Sequence, residues 1–492
     1  MNDMNQGNDD HTKFFDFKGV QTGQPVAGTR MFYLIMAIVI FLGCYALPLD
    51  HISPTASTAL ALVLTVVWVW ITNCVPLAVG CMILAVGGLL LKLFHFGEFA
   101  ASFGSSPFVP MIGLLIVSLG AGKTNIANRV AYIFLSTLGK SPAMILLAIS
   151  VATAVVSAFV SNLGTTIVMA SISMAIMSEM GEEKGKSGLG KAIMLSIPMF
   201  SMIGGLTLIS GSPSTNMMGI SMLESSTQGA HTVTYAQWAT IGIPCGLLLL
   251  IPSWLIYKNA FGVRNQSDKD IDVALFKEKL RELGPLRGAE LRWVLIVAFM
   301  VITMVTGVFN MPIAALLCGT LVVLPVIGCV KPDDAFKSLP MDVLILIGFS
   351  PIIANIINNS KLGEWVVNNF FGWTTGLPPI VLMLVLTLAM SFMINVFANA
   401  TIGIIAVCIA AFTPLVLANG MNPSIVLLPA MYMGSATTVL GVQTNVVLTY
   451  HHGYWEMKDT LKPGILASVL WCVVTTLVAY FVGPMIGMPL YL

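Results

Sequence analysis

Long apolar runs alternate with short polar gaps from residue 31 to the end of the chain. A helix that crosses the hydrocarbon core of a bilayer needs about 20 mostly apolar residues. Runs of that kind lie near 31–48, 57–72, 75–93, 108–122, 142–160, 164–180, 192–209, 237–257, 291–309, 311–329, 341–357, 378–394, 402–418, 424–440 and 464–487. Several are too short or too polar to cross alone. The pattern predicts an all-α polytopic membrane protein of about eleven crossings, with re-entrant pieces between them.

Two stretches depart from the pattern. Residues 1–30 are polar, carry Asp3, Asp9, Asp10 and Asp16, and contain no apolar segment of the kind a secretory signal needs. They are expected to form a cytoplasmic N-terminal segment ahead of an uncleaved first helix. Residues 258–292 hold Lys258, Arg264, Lys269, Lys277, Lys279, Arg281, Arg287 and Arg292. The positive-inside rule puts this loop in the cytoplasm. Within it Ala274–Leu283 has helical spacing, with Leu275, Phe276, Leu280 and Leu283 on one side. The loop separates a first transmembrane half, 31–257, from a second, 293–492.

The halves resemble each other. MIGLLIVSLGAGKTNIANRVAYIFL (111–135) and MDVLILIGFSPIIANIINNSKLGEWVVNNF (341–370) are both apolar helices ending in a polar turn and an amphipathic segment. Thr124 lies 38 residues before Asn162, and Lys361 lies 38 before Asn399. Each asparagine interrupts an apolar run, in SAFVSNLGTTIVM (157–169) and INVFANATIGIIA (394–406). Each half then has a second interruption, in GGLTLISGSPSTNMMG (204–219) and GSATTVLGVQTNVVL (434–448). Matched broken helices in two halves are the strongest sequence pointer to a transporter's binding site.

Composition sharpens this picture. Of 492 residues, 57% are hydrophobic and only 9% charged, too few polar groups to coat soluble domains. The net charge of +1 leaves no basic footprint for nucleic acid. The eight cysteines form no CxxC pair and read as small packing residues. The 30 methionines are scattered as core filler. Pro76 reads as a kink or helix boundary, Lys123 and Lys361 as snorkelling helix ends, and His451 and His452 as an interfacial loop.

The interruptions at 161–166, 211–216, 398–401 and 441–445 combine Gly, Ser, Thr and Asn with no charged side chain. Any one of them could be simple helix packing, where small polar residues are common. Four at paired positions argue for more. Backbone carbonyls and Asn or Ser oxygens suit a hard cation such as Na⁺, and helix N-termini suit an anion. No buried acid supplies a proton relay. A neutral site favours a cation and an anion together, because their charges offset in a low dielectric.

Further segments carry a family resemblance. WVWITNCVPLAVG (68–80), FKEKLRELGPLRGAE (276–290) and LGVQTNVVLTYHHGYWEMKDTLKPG (440–464) resemble segments of the divalent anion:sodium symporter family of dicarboxylate, citrate and sulfate transporters. The family's paired Ser-Asn-Thr motifs fall at 161–163 and 398–400. The resemblance implies two inverted repeats with re-entrant hairpins, a homodimer, and an elevator motion in the cell inner membrane. It implies a sodium site from Ser157, Ser161, Asn162 and Gly211, and a second from Ile394–Asn399 with Gly441. At the second site Ile394 stands where the family has a hydroxyl. Both motif threonines are replaced, by Leu163 and Ala400, with Thr165 and Thr401 nearby. The resemblance also implies that Asn162 and Asn399 hold substrate carboxylates, with Ser212, Pro213, Thr215 and Thr165 on one face and Val442, Gln443 and Thr444 on the other.

The expected activity is sodium-coupled symport of a small organic anion, a di- or tricarboxylate such as succinate, malate or citrate. A sodium-independent anion exchanger and a sulfate or sulfonate transporter are the nearest rivals. An anion channel would need a continuous polar stripe. An enzyme would need a positioned base, nucleophile or metal set, and the spans hold neither HExxH nor GxSxG.

Overall fold

The computed structural model describes residues 27–46, 52–263, 273–370, 372–374, 376–434, 436, 439–441 and 443–492, with only the backbone for Ala27, Phe370 and Asn399. Most of the expected N-terminal segment, and residues 264–272 of the linker, lie outside the described residues. The described chain is helical, and ten of its helical stretches are long and apolar enough to cross a membrane. Shorter apolar helices, such as Pro142–Ser157 and Pro423–Met433, supply the partial crossings.

The first half begins with α1 (Ala27–Ala46), α2 (Pro54–Thr72), α3 (Leu77–Leu90), α4 (Phe96–Phe103), α5 (Phe108–Gly122) and α6 (Ile126–Leu138). It continues with α7 (Pro142–Ser157), α8 (Asn162–Glu179), α9 (Gly188–Thr207), α10 (Pro213–Ser226) and α11 (Tyr235–Ala260). The linker carries α12 (Val273–Glu282). The second half runs through α13 (Gly288–Thr306), α14 (Met311–Val323), α15 (Pro332–Ser338), α16 (Met341–Phe349), α17 (Pro351–Ser360), α18 (Leu362–Phe370) and α19 (Pro379–Val396). A 3-10 turn at Ala398–Ala400 leads to α20 (Thr401–Ala418), α21 (Pro423–Val426), α22 (Leu428–Met433), α23 (Thr444–Tyr450) and α24 (Leu461–Met485).

The interruptions are where the sequence puts them, but shifted toward the N-terminus. Residues 162–166 and 213–216 belong to helices α8 and α10. The irregular pieces are 158–161, 208–212 and 397–400 and, among the described residues of the fourth, 434, 436, 439–441 and 443. The shift has a local cause. The Ser161 hydroxyl accepts from the Gly164 N–H and caps α8, so helix begins at Asn162. Pro213 occupies the first turn of α10, where a missing N–H costs nothing. The run 424–440 is not one span. It splits at Leu427, ahead of Pro429, and its helix ends at Met433.

Packing repeats between the halves. α7 packs on α9 as α19 packs on α22, and α9 on α11 as α22 on α24. α5 pairs with α14 as α16 pairs with α3. The breaks cross over, with α10 against α20 and α23 against α8. α11 and α24, the last long helix of each half, pack on one another.

Glycine sets the two tightest helix–helix approaches. Gly113 of α5 leaves no room for a β-carbon beside the Ala315 carbonyl of α14, and Gly319 faces Gly113 in turn. Gly204 of α9 lies likewise against the Ala154 carbonyl of α7. Small residues let membrane helices meet backbone to backbone.

The linker helix packs against α6, with Phe276 buried. The Arg129 guanidinium donates to the Leu283 and Gly284 carbonyls and to the Glu290 carboxylate at 2.9 Å. Lys279 pairs with Glu179 at the end of α8 at 2.6 Å. α12 and the turn after it are thus fastened to α6 and to the C-terminal end of α8.

Candidate functional site

The first break is a hydrogen-bonded knot. The Ser157 hydroxyl donates to Asn162 Oδ1 at 2.9 Å and lies 3.4 Å from the Val160 carbonyl. Asn162 Nδ2 reaches Ser212 Oγ at 3.4 Å, across to the second break. Ser212 and Thr215 share a hydroxyl hydrogen bond of 2.8 Å. Gly205 and Gly211 make this approach possible. A β-carbon on Gly205 would strike the Asn162 carboxamide, and one on Gly211 would sit 2.7 Å from the Ser157 carbonyl. The sequence thus supplies glycine at the two points where the α9–α10 backbone meets the hairpin tip.

The sequence-derived residues of this half gather here. Ser157 is fully buried, Asn162, Gly211, Ser212 and Pro213 are buried, and Ser161 and Thr215 are half-buried. Thr165 is buried with its hydroxyl 3.5 Å from the Val160 carbonyl. Leu163, which replaces a motif hydroxyl, is 42% exposed on the first turn of α8.

The chemistry of this cluster is two-sided. Ser157 Oγ, Asn162 Oδ1 and the carbonyls of Ser157, Ala158 and Val160 offer neutral oxygens, the donor type for a hard cation. The N-terminus of α10 opens on the same place, and no side chain caps it. Its first-turn N–H groups and helix dipole favour an anion.

Several supporting residues escaped the sequence reading. Ser118 of α5 accepts from the Ser161 N–H at 2.8 Å. Asn216 donates to the Gly205 and Leu208 carbonyls at 2.9 and 3.1 Å, satisfying the broken end of α9. Trp238 Nε1 donates to the Leu206 carbonyl, and the Tyr432 hydroxyl of the other half donates to the Trp238 carbonyl, both at 2.8 Å. Asn216 was visible as the last residue of GSPSTN. Ser118, Trp238 and Tyr432 sit inside apolar runs and carry no local signal.

The second half builds its tie differently. Ile394 is fully buried and apolar where the first half has Ser157. Asn395 beside it accepts from the Val439 N–H at 3.0 Å and donates to the Ser391 carbonyl at 2.9 Å. It therefore stitches the hairpin to the second break. Thr401 turns its hydroxyl to the Ala398 carbonyl at 2.7 Å. Gly441 packs against the Trp455 ring and the Met457 sulfur. Gln443 and Thr444 open α23, half-buried and exposed respectively. Val442 and the Asn399 side chain lie outside the described residues; the Asn399 backbone sits in the 3-10 turn between α19 and α20.

A bundle of crossing helices with paired, uncharged breaks defines a multi-pass membrane transporter. The chain belongs to the citrate transporter family, whose sequence profile matches residues 63–402 and 301–490. It is similar to the sodium-dependent dicarboxylate transporter SdcS of Staphylococcus saprophyticus, 27% identical over 98% of this chain and 97% of that one. The SdcS of Staphylococcus aureus is 25% identical over 87% and 86%. The fold is shared with solved structures of two transporters. Neisseria gonorrhoeae MtrF, described as illuminating a class of antimetabolite efflux pumps, has a TM-score of 0.57 and 12% identity over 80% of this chain and 85% of its own. The Alcanivorax borkumensis YdaH transporter has a TM-score of 0.50 and 15% identity over 81% and 89%. Their low identity carries the fold alone.

Proposed function

We propose that this protein is a sodium-coupled symporter that takes small di- or tricarboxylates across the inner membrane. The observation that carries the proposal is the buried knot of Ser157, Asn162 and Ser212, in which neutral cation-type oxygens stand beside an uncapped helix N-terminus. Na⁺ would sit among Ser157 Oγ, Asn162 Oδ1 and the carbonyls of the hairpin tip, with Ser161 and Gly211 completing the wall. A substrate carboxylate would take the spare Asn162 N–H, the Ser212–Thr215 hydroxyls and the first turn of α10. With no buried acid at the breaks, an unaccompanied dianion has no charge to offset it, so binding of the two ions is mutually dependent. The name and near full-length similarity of the SdcS relatives support the same reading.

Asn399, Val442, Gln443 and Thr444 would form the opposite face, and Asn399 with Gly441 the second sodium site. Ile394 removes a hydroxyl ligand from that second site. This favours weaker sodium binding there than at the first. We further propose that the halves are inverted repeats about the linker, in a homodimer. In an elevator motion, the unit built on the α7–α9 contact would move against the unit built on α5–α14. The two separate glycine contacts and the repeated packing support that division.

The test is a thermal-shift screen of purified protein with dicarboxylates, tricarboxylates, sulfonates and sulfate, each with Na⁺ or K⁺. A ligand that binds only the folded state raises the melting temperature by mass action. The expected result is a shift with a di- or tricarboxylate that requires Na⁺. A shift with sulfate alone, or one indifferent to Na⁺, would overturn the reading.

A further inference from the structure

Replacing two threonines and gaining a glutamine changes what the pocket offers a substrate. Leu163 and Ala400 stand at positions that resemble a threonine motif and bring no hydroxyl donor. Their neighbours do not restore one. The Thr401 hydroxyl already donates to the Ala398 carbonyl at 2.7 Å, and Thr165 is buried against the Val160 carbonyl. Both faces are therefore poorer in donors to a carboxylate.

Gln443 adds the opposite group. Its backbone is clamped at the start of α23, where its carbonyl accepts from the Val446 and Val447 N–H groups, both at 2.9 Å. Its side chain does not cap the helix. Oε1 is buried and has no hydrogen-bond partner. Among the described residues, the other buried side-chain atoms without partners are hydroxyls or N–H groups, so Gln443 Oε1 is the one that can only accept. Among the described residues, three neighbouring carboxamides are engaged: Asn162 Oδ1 by Ser157, Asn216 by backbone carbonyls, and Asn395 by Val439. α23 packs on α8 and α9, the helices whose ends carry Asn162 and Gly205. The orphan oxygen thus stands at the head of an element packed on the two helices that border the first half's breaks.

A buried acceptor left unpaired costs free energy, and a ligand that pairs it recovers that cost. An ionised carboxylate has only acceptors and cannot do so. A hydroxyl on the carbon chain can. We propose that Gln443 is a specificity-determining residue that reads a hydroxyl donor, so that the transporter prefers a 2-hydroxy dicarboxylate over its unsubstituted counterpart. This rests on the carboxylate-symport reading above.

The experiment measures KM for malate and for succinate in proteoliposomes with an inward Na⁺ gradient, for wild type, Q443M and Q443N. Sites built to hydrogen-bond a substrate hydroxyl discriminate strongly against analogues that lack it. The wild type is expected to favour malate by about tenfold or more. Q443M, which keeps the side-chain length and loses the amide, brings the ratio to about one, with the loss falling on malate. Q443N, with its acceptor set back by one methylene, falls between them and carries the same reading if Q443M does not insert. An equal KM for the two acids in wild type, or a ratio unchanged in both variants, overturns the proposal. So does a parallel loss of both acids, which would mean that the amide faces a carboxylate. Wild-type protein that accumulates neither acid under a Na⁺ gradient instead defeats the underlying symport reading.

Discussion

The buried carboxamide of Asn162 has its oxygen turned toward Ser157 and its nitrogen toward Ser212. One residue can therefore face a cation with one atom and an anion with the other, which is the smallest device that couples two ions. Replacing Asn162 with alanine should abolish uptake while leaving the amount of protein in the membrane unchanged; Asn399→Ala should do the same. Ser157→Ala removes one neutral oxygen from the cation side. It should raise the Na⁺ concentration for half-maximal uptake by about tenfold, as expected for an interaction of about 1.5 kcal/mol with a charged group. On the substrate side, Leu163→Thr returns a hydroxyl to the first turn of α8. Succinate KM should fall severalfold, and an unchanged or higher KM would show that this turn does not face substrate.

At the scale of elements, the molecule depends on how broken helix ends are satisfied. In lipid an unpaired backbone group is costly; at the first half's breaks Asn216 pairs the Gly205 and Leu208 carbonyls, Ser118 the Ser161 N–H and Trp238 the Leu206 carbonyl. Helix periodicity and the four interruptions were legible in the sequence because they are local. The starts of α8 and α10 were misjudged because Ser161 and Pro213 initiate helix within what reads as a polar gap. Trp238 and Tyr432 could not be found, because their role comes from two halves meeting. Gly204 sets the contact of α7 with α9, so Gly204→Val should cost at least about 1–3 kcal/mol through overpacking, seen as a lowered melting temperature with or without ligand. The loop after α23 gives a pH signature. Burial, with Lys184 and His451 nearby, holds the His452 pKa below its ordinary 6.5. The unfolded chain then takes up the proton first, so this contribution is complete above pH 6.5 and is lost as pH falls through and below that value. A melting curve that drops less on acidification in His452→Gln than in wild type is the expected outcome.

Across the whole molecule, composition alone requires a membrane for this chain, and the halves' similarity was readable from Asn162 and Asn399 at equal spacing from their preceding turns. The contacts add the cross-over, with each half's second break packed on the other half's hairpin. The two halves do not match chemically. The first break keeps its serine, and the second has Ile394 with Asn395 tied to backbone. The proposed pair of ion sites would then be unequal, the first richer in neutral oxygens than the second. The most direct test follows radiolabelled succinate entering proteoliposomes under an inward Na⁺ gradient or an equal K⁺ gradient, for wild type and Asn162→Ala. Accumulation by wild type with Na⁺ only, and none by the variant, is the predicted result. Accumulation without Na⁺, or equal accumulation by the variant, would contradict an ion pair gripped at the first break.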